Sequence, residues 1–103
     1  MYIIIFITAK DKSEAEKIAS KLVEEKLVAC ANIVGNISSV FWWENKVNRA
    51  DEVLLVLKSK KTFFKKIEKA VKSVHSYSVP EIIAIPIVAG EKNYLKWIDT
   101  TLS

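Results

Sequence analysis

The run His75-Ser76-Tyr77-Ser78-Val79-Pro80-Glu81-Ile82-Ile83-Ala84-Ile85-Pro86 leaves a helix through a polar turn and enters an apolar strand. The turn holds the only histidine of the chain. The strand, read over residues 81–88, carries Pro86, which cannot donate a ladder hydrogen bond and is tolerated mainly at a sheet edge. The last strand is therefore expected on the outside of the sheet.

Working outward from that strand, residues 2–9 read as a buried strand. Ser13-Glu14-Ala15-Glu16 has capping-box spacing, with Ser13 bonding a free N–H and Glu16 reaching back. Ala15, Ile18, Ala19, Leu22 and Val23 then recur at helical spacing, so the first helix is expected to run to about Lys26. Residues 28–43 read as a long strand, broken near Gly35-Asn36 by a bulge or kink. Glu44-Asn45-Lys46 suits a tight turn, because asparagine tolerates positive φ. Glu52 to Leu57 form the next strand. Thr62 is the expected cap of a second helix, whose Phe63, Ile67, Ala70, Val71 and Val74 share one face. Gly90 ends the fourth strand, and Tyr94, Trp97 and Ile98 mark a short final helix. The order βαββαβ gives an α+β, ferredoxin-like fold: an antiparallel sheet, two helices on one face, a long β2–β3 hairpin and a short C-terminal helix.

The strands carry a second message. A strand half-buried in a monomer alternates apolar and polar residues. Ile3 to Ile7, Val53 to Leu57 and Ile82 to Ile85 do not alternate. Both sheet faces are thus apolar, while two helices cover only one. The uncovered face predicts self-association.

Composition bounds the rest. With 103 residues, two Gly and two Pro, the chain is read as one domain over residues 1–103, without long linkers. One cysteine excludes an internal disulfide and fits a reducing cytoplasm. The N-terminal run Tyr2 to Ile7 is too short to span a bilayer and has no basic leader, so neither a signal peptide nor a membrane partner is expected. Lysine supplies fifteen of the sixteen basic residues and glutamine is absent, a weak thermophile signature. Seven lysines and one glutamate fall in residues 58–72. That basic stripe reads as the solvated face of an amphipathic helix, with attraction of phosphates as the rival reading.

Four segments in order resemble the divalent-cation-tolerance family CutA. They are Ala29-Cys30-Ala31-Asn32-Ile33, Phe41-Trp42-Trp43-Glu44, the His75–Pro86 run, and Asn93-Tyr94-Leu95-Lys96-Trp97-Ile98. The similarity runs nearly end to end. It implies a trimer with inward-facing sheets, a cytoplasmic location and weak binding of copper(II) or another divalent cation. The related PII proteins supply the alternative: a signalling trimer holding a small ligand between subunits. A PII-type site wants a glycine-rich or arginine-bearing phosphate loop, and this chain has two Gly and one Arg.

The candidate metal donors are His75, Glu81 and Cys30, a set that suits copper or zinc. Each has a structural alternative. Cys30 reads more readily as a small buried hydrophobe, and is expected to be mainly structural. His75 lies where an imidazolium meets a helix C-terminus, and Glu81 is placed to bond backbone N–H groups. The resemblance implies a further thiol where this chain has Ile7 and a further histidine where it has Val74, so the ligand set is thinned. If His75 is the ligand, copper binding fades as pH falls through about 6.5. Trp42, Trp43, Tyr77 and Trp97 are the expected interface residues. No enzyme is expected, since no nucleophile–base pair or phosphate loop is present. Nucleic acid is not an expected partner either, because Val53 to Leu57 are aliphatic where an RNA-recognition sheet shows aromatics.

Overall fold

The computed structural model describes residues 1–102. The strands are β1 (Tyr2–Ala9), β2 (Cys30–Trp43), β3 (Lys46–Lys60) and β4 (Ile82–Pro86); the helices are α1 (Lys12–Glu24), α2 (Phe64–Lys72) and α3 (Lys92–Leu102). The four strands form one antiparallel sheet in the order β2-β3-β1-β4. This is the ferredoxin-like α+β architecture, and Pro86 does lie on an edge strand.

Alternation along the central strands sorts the side chains. Ile3, Ile5, Ile7 and Ala9 of β1 and Val53, Leu55, Leu57 and Ser59 of β3 point to one face. There they meet Ala15, Ile18 and Leu22 of α1 and Ile67 and Val71 of α2 in one core. Fully burying each such aliphatic side chain contributes about 1.5–3 kcal/mol. Ser59 is the polar intruder, and its hydroxyl donates to the Leu27 carbonyl at 2.7 Å.

The opposite face is largely bare. In register across it lie Ile83, Phe6 and Val56, then Ile85, Ile4 and Lys58. Ile83 is 52% exposed and Ile85 45%. α3 packs at one end only, where Ile98 and Leu102 meet Ala29 and Tyr2. The Tyr2 hydroxyl donates to Asp99, which also pairs with Lys60 at 3.2 Å.

β2 and β3 extend past the core as an arm. The register slips between Val34 and Ile37, and Asn36 takes φ of 57°. The bulge therefore falls at Gly35-Asn36, with the asparagine in the left-handed region. At the tip, Glu44 and Asn45 have φ of 52° and 60°, the two positive values a type I′ hairpin needs. Asn48 braces the turn by donating to the carbonyls of Trp43 and Lys46.

The helix starts differ from the sequence expectation. Asp11, two residues before Ser13, caps α1 by accepting from the Glu14 N–H at 2.8 Å. Glu14 instead of Glu16 reaches back, accepting from the Lys10 N–H at 3.0 Å. Thr62 caps nothing: it lies inside a short 3-10 turn over Lys61–Phe63, and α2 begins without a side-chain cap. β3 runs longer than Glu52–Leu57 because Lys46–Asp51 pair with β2 along the arm and Lys58–Lys60 pair with β1.

Candidate functional site

The α2–β4 turn is where the sequence places its histidine, and three polar side chains converge there. α2 ends with the His75 N–H bonded to the Val71 carbonyl at 2.9 Å. The ring then folds back over the end of β1. Its Nε2 lies 2.8 Å from the Thr8 carbonyl oxygen, and its Nδ1 is 3.0 Å from the Tyr77 backbone nitrogen. A carbonyl only accepts and a backbone N–H only donates. The proton therefore sits on Nε2, and the ring is neutral. The side chain has 0% exposure.

Two carboxylates complete the cluster, and both are buried. Glu14, from the first turn of α1, accepts from the N–H of Ser76 at 2.8 Å and that of Lys10 at 3.0 Å. Its nearer oxygen lies 4.0 Å from His75 Nδ1, too far for a hydrogen bond. Burial pushes the Glu14 carboxyl up, yet the bonds it accepts from Lys10 and Ser76 bring it below the usual carboxylate range. Glu52, from β3, accepts from the Tyr77 hydroxyl at 2.7 Å. Burial first, then the Glu52 bond and the charges of Glu52, Glu14 and Asp11, raise the Tyr77 phenol well above its ordinary range. The Tyr77 ring rests on the imidazole, centroids 4.8 Å apart. Beside Glu52 a cleft of about 470 Å³ opens between the Lys10–Lys12 loop and the Gly35–Asn36 bulge.

Cys30 is elsewhere. It opens β2, half-buried and free, with Sγ 3.9 Å from Asn32 Oδ1. Across the sheet it faces Lys58, and Lys58 faces Ile4. Ile4 and Thr8 are four residues apart on β1, roughly 13 Å at strand rise. Cys30 and His75 thus sit at opposite ends of the sheet. Glu81 is exposed just before β4 and makes no hydrogen bond or ion pair among the described residues, in place of the expected backbone contacts. The positions of the implied extra donors are filled by apolar packing: Ile7 is fully buried in the core and Val74 packs against it. Among the described residues, no three His, Cys, Asp or Glu side chains gather closely enough to hold a metal ion. Copper and zinc bind nitrogen and sulfur at about 2.0–2.3 Å, so one protomer's donors do not fit such a centre.

Of the expected interface residues, Trp42 is 70% exposed on the arm, Trp43 46% and Trp97 43% on α3, while Tyr77 is turned inward. Sequence reasoning missed Glu14 and Glu52. Glu52 had one visible signal: a carboxylate at the entrance of an otherwise aliphatic strand.

The profile of the family described as CutA1 divalent ion tolerance protein matches residues 3–101. This chain belongs to the CutA family. A curated member from Archaeoglobus fulgidus, named divalent-cation tolerance protein CutA, is 46% identical over 102 residues, covering 99% of each chain. The solved structure of an Archaeoglobus fulgidus CutA, described as periplasmic, overlays this chain with a TM-score of 0.97, covering 100% of both. A Thermus thermophilus structure follows at TM-score 0.94, 41% identity and 95% of each chain. A rice CutA described as chloroplastic is 41% identical over 96 residues, 93% of this chain and 54% of the rice protein. The family is named for tolerance of divalent cations and not for a reaction. In this CutA-family chain no helix among the described residues is long and apolar enough to cross a membrane.

Proposed function

We propose that this chain is a homotrimeric, cytoplasmic divalent-cation-tolerance protein that acts by binding and assembly, without catalysis. The bare apolar sheet face carries this reading. Ile83, Ile85 and Val34 stand exposed, and Phe6, Leu54 and Val56 lie half-covered beside them. A contiguous apolar face of this kind marks a contact surface in a stable protein. The protomer exposes 6651 Å², against about 5,900 Å² for a compact monomer of the same mass. Copies of the chain are the simplest cover, with the arm tryptophans Trp42 and Trp43 reaching a neighbour.

The cation partner is copper(II) or another divalent ion, weakly held at micromolar affinity or poorer, about −8 kcal/mol at best. Weakness follows from the scattered donors. Glu81 is the expected donor that remains accessible, and a lone carboxylate holds a cation loosely.

The assembly is tested by Ile83→Glu with Ile85→Glu. The paired charges should split the particle while circular dichroism keeps its native form. An unchanged mass would place the interface elsewhere.

A further inference from the structure

We propose that His75 is the pin of a buried latch, and that divalent cations associate with the folded chain without its imidazole. The turn after α2 is fastened to three separate elements. The His75 Nε2–H donates to Thr8 on β1, the Ser76 N–H donates to Glu14 on α1, and the Tyr77 hydroxyl donates to Glu52 on β3. His75 and Ser76 reach partners 67 and 62 residues away in sequence.

A histidine ligates a metal through an unprotonated ring nitrogen, and commonly donates its other N–H to a carbonyl. The Nε2–H bond to Thr8 looks like that second half. The first half is closed. Nδ1, the only nitrogen with a free lone pair, already accepts the Tyr77 N–H. The neutral ring then has no donor or acceptor left.

Access is closed as well. The ring has no exposed surface within a single protomer, so a donor from a neighbouring subunit cannot reach it either. To meet a cation, the imidazole must swing out of its buried position. That would strand the Thr8 carbonyl and the Tyr77 N–H and break the tilted ring contact with Tyr77. Glu14 does not open a second route, because its carboxylate is held by two N–H donors. This inference replaces the sequence expectation that cation binding tracks the protonation of His75. It is independent of the trimer.

The chain has one histidine, so a histidine-specific reagent reports on this ring alone. Diethyl pyrocarbonate should modify the native protein at least ten-fold more slowly than the urea-unfolded chain. Glu14→Gln and Tyr77→Phe, which each loosen one fastening, should raise the native rate several-fold. In a zinc(II) titration the imidazole nitrogen resonances should hold their positions, and those of the neutral Nε2–H form should be seen throughout. Modification of native protein at the unfolded rate would overturn the latch. So would zinc(II) or copper(II) protecting the ring, or moving its resonances. If calorimetry finds no cation binding at all, the cation part of the proposed function fails, and the modification rate still decides the latch.

Discussion

Tyr77 and Glu52 show how one bond organises the turn. Tyr77→Phe removes the donor from a buried carboxylate, a change that costs about 1–3 kcal/mol. Denaturant unfolding of the variant against the parent measures it. The pH dependence follows from the raised phenol. The folded state favours the protonated hydroxyl, so its contribution is intact below the unfolded phenol value of about 10 and is lost as pH rises beyond it. Alkaline destabilisation should therefore be shallower in Tyr77→Phe. Glu14 works in the other direction. Its folded carboxyl lies below the ordinary value, so its contribution is present above that value and is lost as pH falls through the folded one. Glu14→Gln should flatten the acid side of a stability–pH curve; an unchanged acid limb would show that Glu14 does not fasten the turn. The position of His75 in a polar turn was legible from local spacing. The turn's partners were not, because Thr8, Glu14 and Glu52, which bond His75, Ser76 and Tyr77 in turn, come from three elements that only the folded chain brings together.

At the scale of elements, the strands and their order were readable from apolar runs and turn residues. Helix starts were less so. Asp11 and Ser13 are both good caps, and local sequence does not choose between them. The choice fits Glu14, which from a helix begun at Lys12 bonds both Lys10 and Ser76. Asp11→Ala should cost about 1 kcal/mol, measurable by thermal unfolding. The end of α1 holds a different lesson. Leu27 N–H bonds the Leu22 carbonyl and Lys26 N–H the Val23 carbonyl, with Lys26 at φ of 55°. This is a Schellman motif whose left-handed position usually belongs to glycine. The left-handed conformation costs a side-chain-bearing residue roughly 1–2 kcal/mol. Lys26→Gly should therefore recover part of that, and a loss of stability would contradict the reading.

The whole protomer is elongated. Its radius of gyration is 14.2 Å and its extents are 44 × 26 × 22 Å, where a compact chain of this length has a radius near about 12.8 Å. The arm, where β2 and β3 pair beyond the core, accounts for the excess, and the proposed assembly gives the arm and the bare sheet face something to pack against. The two-sided apolar strands announced the bare face in the sequence. The reach of the arm was partly hidden, because Lys46 to Asp51 are mostly polar and carry no strand pattern of their own. The most direct measurement is the mass in solution. Light scattering at micromolar concentration should give about three times the 11.7 kDa chain. A particle of one chain mass would contradict the account.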